Sequence, residues 1–428
     1  MKYALIGKKL GHSYSALIHK KRGLDYSLIE LAEEEVAGFC AASSRGESFS
    51  SADGRKYGAI EGFNATIPYK KTVMPYLSGF SEEARAVGAV NTVVKKSDGL
   101  YGYNTDVGGL AYAFKRKGIS VKNKVACILG GGGAAAAAKT FLTESGAKKI
   151  YSVTRSGEIN FDNYGRLADT EILINATPVG MFPNGEQVPV DVKVFGKLSA
   201  VFDCVYNPQK TRLVKEARMA GIIADTGLSM LVEQALFAED IWLGIKHTEE
   251  ESEELIKYVY KNVLNVVLTG MPSAGKSEIG KRVAKKLGRE FFDSDAVIKE
   301  KTGESPENII KTRGEKEFRK IESEVISELS SLSGAVIATG GGAVTVFENV
   351  EKLKRNGVII YIDRDVEKLS SEGRPLSAKE GIAALYEKRK PLYENAADCT
   401  ADNNGTKEEC ETEVIKAYEI ACDKRSEP

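Results

Sequence analysis

Apolar positions recur along this chain in short runs, each closed by glycine, proline or a polar cluster and most followed by a stretch of helical period. Tyr3-Ala4-Leu5-Ile6 and Tyr26-Ser27-Leu28-Ile29-Glu30-Leu31 read as strands, with a short and partly helical segment between them. Gly58 to Asn64 runs into Ala65-Thr66-Ile67-Pro68-Tyr69-Lys70-Lys71, where proline rules out a central strand partner, so the strand passes into a loop that presents polar side chains. Ser81 to Val87 predicts a helix, and Ala89 to Val94 followed by Asp98-Gly99 predicts a strand entering a hairpin. From Lys124 the pattern becomes one of strands alternating with helices: Lys124 to Leu129, a helix over Ala134 to Leu142, Ile150 to Val153, and two strand exits, Ile172 to Pro178 and Ala200 to Pro208. Alternation of that kind predicts βα units in a parallel sheet. Leu213 to Ala220 is helical and ends at Gly221, and Gly227 opens a long amphipathic helix running through Trp242. The acidic stretch Glu249 to Glu254 and the helical Leu255 to Tyr260 lead into the apolar run Val263 to Leu268.

That last run is followed by Gly270-Met271-Pro272-Ser273-Ala274-Gly275-Lys276-Ser277 and then by a helical segment, Glu278 to Leu287. Strand, glycine-rich turn and helix in this order are the context that a G-x-x-x-x-G-K-S phosphate loop requires. Backbone N–H groups and the helix N-terminus hold phosphate oxygens there, Lys276 reaches the terminal phosphates and the Ser277 hydroxyl contacts Mg²⁺. A nucleotide fold begins at its phosphate-loop strand, so the residues upstream form another domain. The boundary is placed near Asn262, and the absence of a Pro- or Gly-rich linker implies a short, stiff connection.

A second glycine-rich turn, Gly130 to Gly133, is weaker by itself. It is reinforced by Thr154-Arg155-Ser156 at the end of the next strand, where a dinucleotide fold reads the adenosine ribose. An acid there favours NAD; arginine suits a 2′-phosphate and points to NADP, against the plainer reading of a solvated surface arginine.

A length of 428 residues suggests two or three domains. With 60 basic and 60 acidic side chains, charge provides no argument for nucleic acid or a membrane as partner. No apolar run approaches the roughly 18 residues of a membrane helix, and Lys8-Lys9 interrupts any signal-peptide core, so a cytoplasmic protein is expected. Cys40, Cys127, Cys204, Cys399, Cys410 and Cys422 include no C-x-x-C pair, and His12, His19 and His247 are the only histidines, which makes zinc an improbable ligand. Reduced, mostly buried thiols are expected, with Cys410 and Cys422 packed along one helix.

Seven segments, Gly11-His12-Ser13-Tyr14-Ser15, Asn64 to Lys70, Gly88 to Thr92, Asn104-Thr105-Asp106, Asn175 to Pro178, Tyr206-Asn207-Pro208 and Met230 to Gln234, occur in an order that resembles shikimate dehydrogenase over nearly all of 1–262. The resemblance implies a two-lobed α/β enzyme: a substrate lobe of about 1–105 plus 227–262, and a Rossmann-type NADP lobe of about 106–226. It implies that Ser13, Ser15, Thr66, Asn91, Asp106, Tyr206 and Gln234 bind shikimate and that Lys70 and Asp106 are the catalytic pair. The chemistry agrees, since reducing a ketone with a nicotinamide hydride requires a proton donor beside the carbonyl oxygen. Lys71 is expected to point away as its neighbour on an extended loop. The NADP contacts implied are Gly130, Gly132, Gly133, Ala134, Thr154, Arg155, Ser156, Cys204 and Gly227. Two departures stand out: the segment from Ser15 to Tyr26 is short for the family, and Ile159 occupies about the place of a second arginine that often assists at the 2′-phosphate.

The second half resembles shikimate kinase across most of 263–428. Phe291-Phe292-Asp293-Ser294-Asp295, Gly314 to Arg319, Thr339 to Ala343, Gly373-Arg374-Pro375-Leu376 and Lys388 to Tyr393 carry the likeness together with the phosphate loop. The implied architecture is a P-loop kinase with a parallel sheet. Asp295, Arg319, Gly341 and Arg389 are implied for shikimate, and Ser277 and Asp293 for Mg²⁺. Ser273, Ala274, Gly275, Lys276, Ser277, Glu278 and Arg374 are implied for ATP, with Asp295 as catalytic base and Arg374 on the transferring phosphate. Glu278 stands where a second hydroxyl residue often follows the P-loop serine, and the lid between Arg364 and Arg389, with Ser370 to Gly373 as its flexible part, is short.

The combined expectation is a bifunctional enzyme of aromatic amino acid biosynthesis. It would reduce 3-dehydroshikimate with NADPH, then phosphorylate shikimate with MgATP to shikimate 3-phosphate. An NAD-linked quinate/shikimate dehydrogenase, and a regulatory or scaffold protein with degenerate sites, are the competing readings.

Overall fold

The structure, a computed structural model, describes residues 2–11, 13–369 and 381–427, in two compact units that divide between Val259 and Tyr260. In the first unit a six-stranded sheet runs in the order Asp25–Glu30, Lys2–Gly7, Gly62–Ala65, Thr92–Lys96, Gly99–Tyr103, Gly79–Phe80. Its first three strands are parallel, Gly62–Ala65 pairs antiparallel with Thr92–Lys96, and that strand forms the expected hairpin with Gly99–Tyr103 around Asp98. Gly62–Ala65 ends before Pro68, so the missing proline N–H costs the sheet nothing.

The second sheet of this unit is entirely parallel, in the order Lys149–Val153, Val125–Leu129, Ile172–Asn175, Ala200–Asp203, Ile223–Thr226. Val125–Leu129 is buried along its whole length, as a strand covered on both faces by helices must be, and its unbroken apolar run follows from that. Arg212–Met219 and Gly133–Glu144 are two of those helices, and the Leu228–Leu243 helix packs on Asp106–Arg116. The edge strand Ile223–Thr226 is not legible in the sequence: its apolar part is short and Ile223 is half exposed, so no alternation survives to mark it. The acidic segment and the helical segment before the phosphate loop are one continuous helix, Glu249–Val263.

The second unit is built on a five-stranded parallel sheet, in the order Phe291–Asp293, Val336–Ala338, Asn265–Thr269, Gly357–Asp363, Cys399–Asp402. Asn265–Thr269 lies at its centre and is buried throughout, and it delivers the chain directly into the glycine-rich turn and the helix Lys276–Leu287. Crevices at the carboxyl ends of such strands are where open α/β sheets bind ligands. All six cysteines are free; Cys410 and Cys422 are fully buried on the helix Lys407–Ser426.

Candidate active sites

In the first unit the loop after Gly62–Ala65 brings Lys70 to the start of the helix Asp106–Arg116. Lys70 Nζ donates to Asp106 Oδ2 at 2.5 Å, with side chains 16% and 7% exposed. Asn91 fixes the other carboxylate oxygen, Nδ2 to Oδ1 at 2.9 Å, and also reaches Thr105 Oγ1 at 3.0 Å and Gln234 Oε1 at 3.4 Å. The Asp106 backbone N–H donates to Asn104 Oδ1 at 3.1 Å, and Asn104 Nδ2 donates to the Ala89 carbonyl at 2.9 Å. The Lys70 side chain is thus held on a carboxylate that two asparagines orient, Asn91 by donating from Nδ2 to Asp106 Oδ1 and Asn104 by accepting at Oδ1 from the Asp106 backbone N–H. The motif contains Asn104 and Thr105, but their supporting role emerges only from this geometry. Lys71 is exposed as expected, though the segment is a turn rather than extended chain, so the physical reason differs.

Ser13 and Tyr206 meet through their hydroxyls. Burial pushes the Tyr206 phenol up to about 12 while the Ser13 hydrogen bond pulls it down, so it stays protonated and able to donate at neutral pH. Ser15 N–H donates to Ser13 Oγ at 3.3 Å. Thr66 lies one strand away, its N–H on the Ile6 carbonyl at 3.0 Å. Ser13, Ser15, Tyr206 and the Lys70, Asp106, Asn91 and Gln234 group all come from the first unit; His12, part of the same motif as Ser13, lies outside the described residues.

The glycine-rich turn joins Val125–Leu129 to the helix Gly133–Glu144, and it approaches Lys70 closely: a Cβ on Gly133 would stand 2.9 Å from Lys70 Cδ. A side chain there would force the lysine stem to shift. Gly130 and Gly132 lie in the same turn, Ala134 follows at the first helical turn, and Thr154, Arg155 and Ser156 follow Lys149–Val153, the neighbouring strand. Arg155 and Ser156 are exposed, and the Thr154 N–H donates to the Ile159 carbonyl at 3.2 Å, placing Ile159 beside this end of the strand as a partly buried apolar residue. Gly227 packs against the Cys204 backbone. A loop at the amino end of a helix with an exposed arginine beyond the next strand fits a dinucleotide carrying a 2′-phosphate.

In the second unit a cavity of 630 Å³ is lined by Ser273, Gly275, Lys276, Ser277 and Glu278 together with Asp293, Asp295, Arg319, Gly341 and Arg389. Lys276 Nζ donates to the carbonyls of Gly270 and Met271, at 3.0 and 2.9 Å, and is buried. Ala274 is buried in the same loop, and Ser273 has a left-handed backbone, φ 66°, an uncommon conformation for a residue with a side chain. Ser277 Oγ donates to Asp293 Oδ2 at 2.5 Å, a hydroxyl and a carboxylate side by side as a hard cation requires. Asp293 Oδ1 caps the helix Ser294–Thr302, accepting from Asp295 N–H at 3.0 Å, which places Asp295 at the cavity mouth, where it is exposed. Glu278 is exposed and paired with Lys407.

Arg319 Nη1 donates to Glu322 Oε2 at 2.7 Å, and Arg389 Nη1 to the Gly341 carbonyl at 3.1 Å. Glu322 is fully buried; burial raises its carboxyl above the ordinary range against the pull of Arg319. Glu322 is absent from the motifs, although its spacing of three from Arg319 on a helix is a usable signal. Arg374 and the segment Ser370 to Gly373 lie outside the described residues.

Comparison with known proteins gives two family models, "Shikimate dehydrogenase substrate binding domain" over residues 5–93 and "Shikimate kinase" over residues 272–419. The NADP(+)-linked shikimate dehydrogenase of Clostridium perfringens strain 13 is 39% identical over 273 residues, spanning 60% of this chain and 98% of that protein. The Clostridium beijerinckii enzyme is 38% identical over 257 residues, 56% of this chain and 91% of its own. Among solved structures, shikimate dehydrogenase 1 of Peptoclostridium difficile is 36% identical, covering 59% of this chain and 95% of its own, with a TM-score of 0.52. The Thermus thermophilus enzyme in complex with NADP(H) and shikimate is 29% identical, covering 60% and 98%, with a TM-score of 0.52.

Proposed function

Since the chain belongs to the shikimate dehydrogenase family and carries a shikimate kinase domain after it, we propose a residue-level account of two consecutive reactions. The chain is a bifunctional shikimate-pathway enzyme that uses NADP(H) in its first unit and ATP with Mg²⁺ in its second. The observation that carries the account is that each unit holds its own acid–base group beside a phosphate-binding turn: Lys70 on Asp106 against Gly133, and Asp295 beyond Lys276 and Ser277. We assign 1–262 to the dehydrogenase and 263–428 to the kinase.

In the dehydrogenase, Lys70 Nζ gives its proton to the carbonyl oxygen of 3-dehydroshikimate while Asp106 holds the lysine in place and accepts from a substrate hydroxyl. Bound NADPH supplies the hydride. Ser13, Ser15 and Tyr206 bind the substrate carboxylate as hydroxyl donors, Tyr206 being kept protonated by its burial. Thr66, Asn91 and Gln234 hold the ring hydroxyls. Arg155 takes the 2′-phosphate alone, with Ile159 giving no help.

In the kinase, Asp295 accepts the proton of the attacking shikimate hydroxyl, and Arg319 and Arg389 hold the carboxylate end with the Gly341 backbone between them. Ser277 and Asp293 would hold Mg²⁺, which would neutralise charge on the phosphates, and Lys276 would bind the terminal phosphates. Both substrates are small molecules, and no helix among the described residues is long and apolar enough to cross a membrane. Diffusible substrates and cofactors of this kind favour a cytoplasmic location. The test is incubation with 3-dehydroshikimate, NADPH and MgATP, with products identified by mass spectrometry. Shikimate 3-phosphate supports both assignments; a reaction that stops at shikimate overturns the kinase part, and shikimate bound without turnover supports the scaffold reading.

A further inference from the structure

The cavity of the second unit contains an arginine that belongs to none of the motifs. Arg364 follows the strand Gly357–Asp363, which pairs with the phosphate-loop strand in the register Thr269↔Tyr361, so the residue emerges beside Gly270 and Met271 at the carboxyl edge of the sheet. It lines the same cavity as Ser273, Lys276 and Ser277. A Cβ on Gly275, whose φ is 91°, would stand 3.8 Å from Arg364 Nη1, so the guanidinium lies beside the residue that caps the amino end of the phosphate-loop helix.

Its charge is also left available. Among the described residues the other cations of the cavity have partners: Lys276 bonds the Gly270 and Met271 carbonyls, Arg319 bonds Glu322 and Glu315, and Arg389 bonds the Gly341 carbonyl. The carboxylates adjacent to Arg364 in sequence are engaged elsewhere. Asp363 Oδ1 accepts from the Tyr361 hydroxyl at 2.8 Å, and Asp365 pairs with Lys368 at 3.3 Å. Arg364 has no hydrogen bond or ion pair among the described residues, and its Nε is buried without a partner. A buried guanidinium N–H left unsatisfied is costly, so an arginine kept in this state beside a phosphate-binding turn is matched to an anion that arrives there.

We propose that Arg364 binds the polyphosphate of the nucleotide, on the side of the loop formed by Gly275. This rests on the kinase reading and extends it to a residue outside the phosphate-loop motif. A planar fork of N–H donors matches phosphate oxygens bidentately. Adenine stacking on the guanidinium face is the other chemistry it could offer, and the two separate by experiment.

The test uses the full chain and calorimetric titration with MgADP and, in parallel, adenosine. Arg364→Gln should weaken MgADP binding about tenfold or more, the effect of one lost charge-assisted contact, and leave adenosine binding and shikimate binding to the kinase unit unchanged. Arg364→Lys, which keeps the charge, should recover part of the loss. Equal weakening of adenosine and MgADP would overturn the phosphate assignment in favour of the base, and unchanged MgADP affinity in Arg364→Gln would overturn any nucleotide role. Loss of shikimate binding in Arg364→Gln would mark a folding defect, in which case Arg364→Lys decides: full loss of MgADP affinity with shikimate binding intact refutes a charge-based contact. A wild-type chain that binds no MgADP defeats the kinase reading itself, whereas wild-type binding with an indifferent Arg364→Gln defeats only the inference.

Discussion

Replacing Lys70 by methionine isolates the proton-donor role, because methionine preserves the apolar stem against Gly133 and removes only the ammonium. General acid catalysis contributes roughly 10²–10⁴-fold, which at about 1.36 kcal/mol per decade is roughly 2.7–5.4 kcal/mol of barrier. The geometry argues for the middle of that range. Lys70 Nζ is 2.5 Å from Asp106 Oδ2 and mostly shielded, so a water molecule cannot easily take its place, but a 16% exposed side chain still leaves some access. Asp106 keeps Asn91 at 2.9 Å, so the carboxylate is left half-satisfied rather than orphaned, and the structural cost falls below the roughly 3–5 kcal/mol of a broken fully buried pair. The assay is NADPH oxidation with 3-dehydroshikimate, followed optically, with phosphorylation of added shikimate by the same sample measuring the fraction of intact chain. The expected result is a kcat lower by about 10³ with KM for 3-dehydroshikimate little changed. A kcat within about tenfold of wild type, with kinase turnover intact, would refute the reasoning and place the proton source elsewhere.

Asp295→Asn should slow phosphorylation by about 10²-fold or more while leaving NADPH oxidation untouched, so shikimate accumulates; mass spectrometry of the coupled mixture shows which product remains. Arg155→Ala should raise KM for NADPH by about tenfold or more and leave that for NADH unaltered, since only the former carries the 2′-phosphate; equal effects on both would remove Arg155 from that role. His247 sits between Glu233 Oε1 at 3.0 Å and Asp240 Oδ2 at 2.8 Å. Burial pushes its pKa down, but the two carboxylates outweigh burial and the net shift is upward. A histidine whose pKa is raised on folding contributes stability that is complete below the unfolded value of about 6.5 and lost as pH rises through the folded value. The melting temperature of the dehydrogenase transition should therefore decline between roughly pH 6 and 8, and the decline should flatten in His247→Gln; parallel pH profiles for the two chains would contradict the assignment.

How much of this is legible in the chain depends on how local each feature is. The phosphate loop is local in every respect: the strand before it, the turn and the helix after it are contiguous, so Lys276 and Ser277 can be placed from their neighbours alone. Lys70 and Asp106 lie 36 residues apart and meet because Gly62–Ala65 and the hairpin Thr92–Tyr103 share one sheet, so the pairing comes from resemblance and the structure supplies its geometry. The strand Ile223–Thr226 escapes notice because four residues, of which only Ile223 and Ala224 are apolar, carry too little periodicity to register.

Glu322 and Arg364 escape for different reasons, and the contrast shows where pattern reading stops. Glu322 is within reach of it, since a residue three positions from Arg319 on a helix shares its face, and an arginine meant for a carboxylate ligand needs a partner that fixes its orientation. Arg364 offers no such clue. It reaches the phosphate loop because Gly357–Asp363 lies beside Asn265–Thr269 rather than at the sheet edge, a matter of strand order that the long stretch of chain between Lys276 and Arg364 does not record. In a parallel sheet every strand exits toward the same crevice, so each residue just past a strand is a candidate ligand contact. Strand order then decides which exits lie side by side, and that is why an arginine placed against the loop in space stands so far from it in sequence.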